Sequence, residues 1–177
     1  YARYIWKRPV VLHVHGSSFD EFLESAPIPV ALFQSAVFGS VTDVIVLSEY
    51  WASVIAEQVP QSKIRVLPNA VDPDSFPVEI DAEQPKIVFV SNLIERKGVD
   101  ELVTATEELL EQTNEPVEIN IAGDGPLSSA VERLADEHEA VEYHGYVSED
   151  HKAELLAEGT IYVLPTYAEG LPIAMLE

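Results

Sequence analysis

Short apolar runs alternate with longer segments of helical period along the whole chain. The runs lie at 9–16, 43–47, 63–67, 85–91, 117–122, 141–146 and 160–164, each short enough and apolar enough for a buried strand. Between them, Trp51, Val54, Ile55 and Val59 recur at helical spacing behind a candidate cap at Ser48. Val99, Leu102, Val103, Thr106 and Leu110 form the inward stripe of a helix over 99–110. Pro126 starts a further helix with Leu127, Val131 and Leu134 on one side, and Ser148 caps another whose first turn holds Glu149 and Asp150. Residues 19–40 read as a helix in two pieces divided by Pro27 and Pro29. Strand and helix in strict alternation require parallel sheets covered by helices, so the fold class is α/β. The proline- and acid-rich stretch 73–85 reads as a linker between two such units.

Composition changes this picture in one respect. The 177 residues carry 31 acids against 10 bases, a formal charge of −21, while 47% of them are hydrophobic. Disorder needs high charge together with low hydrophobicity, so the chain folds and carries its charge on the surface. Such self-repulsion is screened in molar salt, which points to a halophilic source; an ordinary acidic cytoplasmic protein is the plainer reading. No basic stripe exists, which argues against nucleic acid as a partner. The absence of cysteine excludes thiol and disulfide chemistry. The most apolar window, 28–47, is interrupted by Pro29, Gln34, Gly39 and Asp43, so a helix followed by a strand is expected there, and cytoplasmic residence is the default. Arg3, Lys7 and Arg8 stand near Tyr1, Tyr4 and Trp6, which suits either a solvated helix end or transient contact with a membrane surface.

The chemistry gathers at strand ends. Residues 165–177 read as a strand exit, a turn and a new helix with Pro172 in its first position. The N–H groups of Gly170, Leu171 and Ile173 would then face an anion at the positive helix end, with Glu169 and Glu177 on either side. Lys97, in the loop 92–98 between a strand and a helix, is either a phosphate ligand or a solvated lysine. His13 and His15 share one face of the first strand. Each is either a buried structural histidine or, for His15, a cleft residue at the carboxyl end of its sheet; a metal pair lacks an evident third ligand. Gly123-Asp124-Gly125-Pro126 permits a sharp turn, with Asp124 as a turn-former. Asn69 and Asp72 read as turn-formers in the same way.

Glu169 and Glu177, with seven residues between them in an E-G-L-P…L-E context, resemble the paired-glutamate motif of retaining, nucleotide-sugar-dependent glycosyltransferases of group 1, family four. Lys97-Gly98, G-D-G-P-L from Gly123, the H-G-Y-V run from His144 and P-N-x-V-D from Pro68 match the same family in order. The resemblance implies two Rossmann-like domains facing a cleft (the GT-B type), each incomplete in this chain, as for a middle segment of a longer protein that is inactive by itself. Residues 1–72 would belong to the acceptor-side domain and 86–177 to the donor-binding one. Glu169 would orient the transferred sugar, His15 and Gly16 would lie on the acceptor side, and Lys97 would hold the donor diphosphate. Gly123, Tyr146, Val147, Gly170 and Leu171 would contribute to donor binding, and Glu177 would take the ribose hydroxyls. Asn92 stands where the family has an arginine, with Arg96 as a nearby substitute, and Ala70 replaces a glycine. No metal or cofactor is implied beyond the nucleotide diphosphate-sugar itself. A sugar-nucleotide epimerase or a phosphorylase of the same architecture, or a module that binds nucleotide without turnover, stays open. Sugar, base and acceptor are not selected by these residues.

Overall fold

The structure, a computed structural model, describes residues 7–15, 19–73, 85–113 and 115–177. Its contacts divide it into two compact units, one of Tyr1–Ala70 with Glu169–Pro172 and one of Val71–Ala168 with Ile173–Glu177. Most of the expected linker, residues 74–84, lies outside the described residues, as do Gly16 and the aromatic cluster of Tyr1, Tyr4 and Trp6.

The first unit contains β1 (Val11–His13), α1 (Phe19–Ser25), α2 (Ile28–Ser40), β2 (Asp43–Val46), α3 (Glu49–Ile55) and β3 (Ile64–Val66). The three strands are parallel in the order β1-β2-β3. Val14, Val44, Val46, Trp51, Ile55 and Ile64 form its core with Phe38 from α2. The Ser48 hydroxyl accepts from Trp51 N and starts α3. Two details depart from expectation. The break before α2 falls at Ala26 and Pro27, and Pro29 sits inside the first turn of α2, where its missing N–H costs nothing. α2 is apolar on both sides, so Ile28, Leu32 and Phe33 are exposed while Phe38 is buried.

The second unit contains β4 (Lys86–Val90), α4 (Val99–Gln112), β5 (Glu118–Ala122), α5 (Ser128–Glu137), β6 (Val141–Gly145), α6 (Glu149–Glu158) and β7 (Ile161–Tyr162). All four strands are parallel, in the order β6-β5-β4-β7. The chain therefore steps outward from β4 to β6, then crosses back to the far side of β4. Right-handed crossovers oblige α4 and α5 to cover one face and α6 the other. Strand alternation follows suit. Ile87 and Phe89 pack with Val99, Leu102, Val103, Val131 and Leu134, whereas Val88 packs with Ala122 and Leu155 on the α6 side. Asn120, buried on that second side, donates to Glu118 and pairs with the His144 ring at 2.7 Å, so its own amide is not stranded.

Pro126 and Leu127 form a turn, and α5 begins only at Ser128. β7 has two ladder residues where five were expected, although Val163 N still donates to Val88 O. The helix expected from Pro172 is not formed: Ile173–Met175 is a single 3-10 turn with one i to i−4 bond, Glu177 N to Ile173 O. Among the described residues no helix is long and apolar enough to cross a membrane.

The Ser148 side chain accepts from His151 N at 3.3 Å and is the only side-chain cap of α6 seen here. Ser148→Ala should cost about 0.5–1 kcal/mol, read as a lower urea midpoint with an unchanged slope. An unchanged midpoint would mean that water replaces the cap.

Candidate functional site

A cleft of about 450 Å³ opens in the second unit at the carboxyl ends of β4, β5 and β6. In a sheet of this order, the point where the chain reverses direction leaves a crevice that adjoining helices do not fill. Val90, Ser91 and Asn92 line it from β4, Gly123 and Asp124 from β5, and Tyr146 and Val147 from β6. Glu149 and Lys152 of α6, with Ile173, Ala174 and Glu177, close the opposite side.

The floor depends on Gly123. Its φ is +144°, and a Cβ there would stand 1.8 Å from the Ser91 carbonyl oxygen, so only glycine lets the two strand ends meet. Gly123 N donates to Gly145 O at 2.7 Å, and the Tyr143 hydroxyl donates to Gly123 O at 3.0 Å, which ties β6 to the same point. Asp124 Oδ1 accepts from Gly125 N and Ser128 Oγ, so this carboxylate serves the turn, as expected. Tyr146 is 85% exposed, a ring left at the rim of the cleft.

Glu177 is the unusual liner. Its side chain is 6% exposed, and Oε1 accepts from Lys152 Nζ at 2.8 Å. Oε2 is buried without a hydrogen-bond partner in the described structure. Lys152 also reaches Glu149 Oε2 at 2.6 Å. Burial would lower the Lys152 pKa, but its bonds to Glu149 and Glu177 outweigh that and raise it, so the ammonium persists at neutral pH. The cleft thus presents three carboxylates and one lysine. Glu149 and Lys152 were not singled out by the sequence; three residues apart on a helix, they read as an ordinary surface pair.

Lys97 and Arg96 do not line this cleft. They close the 3-10 turn Glu95–Lys97, which lies against the loop after β7. Arg96 Nη1 donates to Ala168 O, and Arg96 O accepts from Tyr167 N and from the Thr166 hydroxyl. The Tyr167 hydroxyl donates to Glu101, a bond that, with burial and further acids, raises the tyrosine pKa. In this geometry Arg96 holds the loop after β7.

In the first unit, His13 and His15 are both exposed, so the buried structural reading fails for each. Their rings meet at 3.0 Å between His15 Nε2 and His13 Nδ1. Partial desolvation, then the charge of His15, lowers the His13 pKa. A ring pair at this distance needs at least one unprotonated nitrogen. Among the described residues no group of three or more His, Asp or Glu could hold a metal ion. Gly170 packs beside Leu47, the His15 carbonyl and the Trp51 indole, and Asn69 Nδ2 donates to Leu171 O at 2.7 Å. Asn69 therefore fixes the 169–172 segment as well as its own turn. Glu169, half-buried, belongs to the same unit. Gly170 and Leu171, expected at a helix start, here precede the three-residue 3-10 turn Ile173–Met175.

Comparison with known proteins decides the family. Residues 71–177 match the family described as Glycosyl transferases group 1. The chain belongs to the group 1 glycosyltransferases. Residues 1–75 match, in addition, the description Glycosyltransferase Family 4. It is 28% identical over 131 residues to the phosphatidylinositol N-acetylglucosaminyltransferase gpi3 subunit of Schizosaccharomyces pombe, over 71% of this chain and 28% of that one. It is 27% identical to a GDP-mannose-dependent alpha-(1-6)-phosphatidylinositol monomannoside mannosyltransferase of Mycolicibacterium smegmatis, over 99% of this chain and 51% of that one. The group 1 chain thus spans between about a quarter and a half of the length of these relatives. Its fold is that of an S. aureus TarM mutant solved in complex with Fondaparinux, alpha-GlcNAc-glycerol and UDP, with a TM-score of 0.74 at 18% identity over 95% of this chain and 34% of that one. The fold is α/β with two parallel sheets of Rossmann-like order.

Proposed function

We propose that this group 1 chain is part of an enzyme that moves a sugar from a nucleotide diphosphate-sugar to an acceptor hydroxyl with retention of configuration. The observation that supports it best is the cleft at the carboxyl ends of β4, β5 and β6, lined by main-chain loops and by Glu177, whose carboxylate keeps one buried oxygen without a partner. Three acids and one lysine suit hydroxyls and a base better than phosphates, so this cleft takes the nucleoside end of the donor. The main chain at Tyr146 and Val147 borders the base, with the exposed Tyr146 ring available to stack on it. Residues 86–177 then form the donor side and 1–72 the acceptor side.

The diphosphate needs positive charge from elsewhere, and Lys97 supplies it. As the bond between the anomeric carbon and the phosphate oxygen breaks, its electron pair passes to the diphosphate. The acceptor oxygen forms its bond on the same face of the sugar, and the departing phosphate oxygen takes the acceptor's proton. Lys97 stabilises the growing anion, Glu169 orients the sugar hydroxyls, and His15 serves the acceptor side. The names of these two relatives put phosphatidylinositol lipids first among acceptors to test, which would bring the protein transiently to a membrane surface from the cytoplasm.

The test incubates the intact protein with UDP-, GDP- and ADP-sugars, with and without phosphatidylinositol vesicles or sugar acceptors. Release of nucleotide diphosphate that requires an acceptor, with the α-linked donor giving an α-linked product, supports transfer. Interconversion of the donor without an acceptor would favour an epimerase, and tight binding without product a non-catalytic module.

The excess of acid supports a second reading, that the protein works in concentrated salt. Its unfolding midpoint should then rise steadily from dilute buffer to molar potassium chloride. Undiminished stability in dilute buffer would count against this.

A further inference from the structure

We propose that Lys152 is a positioning residue for the nucleoside end of the cleft: by engaging Glu177 Oε1 it holds that carboxylate at the cleft wall and leaves Oε2 as the acceptor for sugar hydroxyls. This rests on the reading of Glu177 as the ribose ligand and adds the residue that prepares it.

Three observations lead there. Glu177 is held at one oxygen only, 2.8 Å from Lys152 Nζ, while the other oxygen is buried and unpartnered in a residue that lines the cleft. A buried acceptor without a donor is costly, and native structures keep one where a ligand or water completes it. Lys152 is itself 16% exposed and locked between Glu149 and Glu177, so its ammonium has little freedom. The chain has ten basic residues in all, and this one is committed to two carboxylates. Finally, the bond from Lys152 ties Glu177, on the segment after the 3-10 turn Ile173–Met175, to α6.

The chemistry selects the ligand class. A carboxylate with one oxygen already satisfied by a cation offers the lone pairs of the other to neutral O–H donors and repels phosphate oxygens. Neighbouring hydroxyls on a ribose fit that description. With Lys152 removed, the side chain would be free to rotate away or to take water.

The experiment measures the binding of UDP, GDP and ADP to the intact protein by calorimetry, then of the 2′,3′-dideoxy counterpart of the tightest. Wild type should prefer the ribonucleotide by about tenfold or more, the range of a hydrogen bond to a charged group. Glu177→Gln should reduce that preference sharply. Lys152→Met should reduce it to the same extent, the double variant should add nothing further, and Lys152→Arg should restore most of it. Thermal melting keeps a misfolded variant from being counted; if Lys152→Met does not fold, Lys152→Gln takes its place. If Glu177→Gln loses the preference while folded Lys152 variants keep it, Lys152 does not position Glu177 and the proposal falls. If Glu177→Gln keeps the preference, or no nucleotide binds at millimolar concentration, the ribose reading of Glu177 falls and the proposal with it.

Discussion

Lys97→Ala in the intact protein is expected to lower sugar transfer on the order of 10²–10³-fold, the loss typical of removing one group that stabilises charge developing in a transition state. The cation sits at the end of the Glu95–Lys97 turn, one residue before Gly98 and α4. The nucleoside cleft carries more acid than base, so a bound diphosphate depends on cations outside it. The defect should fall on kcat, because the charge on the leaving diphosphate is greater in the transition state than in the bound donor. Glu169→Ala should abolish transfer comparably through loss of sugar orientation, with melting unchanged in both variants. Wild-type rates in either variant would remove that residue from the site. A rise in KM alone for Lys97→Ala would assign the lysine to ground-state binding.

Gly98→Ala, one residue away, should do the reverse and act through the fold. Gly98 has φ +72°, a left-handed conformation that costs an L-residue about 1–2 kcal/mol. Its added Cβ would stand 1.9 Å from the Pro165 carbonyl oxygen, so the loops after β4 and β7 must also separate. Together these should destabilise the second unit on the order of 3 kcal/mol. The same shift would loosen the Arg96 to Ala168 and Tyr167 to Arg96 bonds that hold the two loops. Urea unfolding followed through the second unit would show it as a lower midpoint. A change below about 0.5 kcal/mol would mean that the loops part freely, and the close approach would then have no bearing on how Lys97 is held.

Much of the fold is readable from residue order because burial imposes it. The run from Lys86 to Val90 is apolar on both faces since helices cover both, and the stripe Val99, Leu102, Val103 and Thr106 is buried where its period places it. Ser48 and Ser148 cap the helices expected of them, because a cap is decided within four residues. Asn92, Gly123, Tyr146, Val147 and Glu177 are found around one cleft because each lies at a strand end or on the segment that closes it, and strand ends converge in a parallel sheet. After Pro172, where a helix start was expected, residues Ile173–Met175 form a 3-10 turn. For the histidines, alternation places both on one face but leaves open whether that face is covered, and the structure leaves both exposed.

The chain by itself determined the alternation of strand and helix, hence parallel sheets, along with the turns, the caps and the family motifs. These follow from contacts between residues close in sequence and from the periodic need to bury one side of each element. Only the tertiary structure decided that Lys152 holds Glu177, that Arg96 serves a loop, and that Gly98 lies against Pro165. Those partners are 25, 72 and 67 positions apart along the chain. No local pattern encodes such meetings, because strand order and the face each crossover takes set them only once the sheet is assembled.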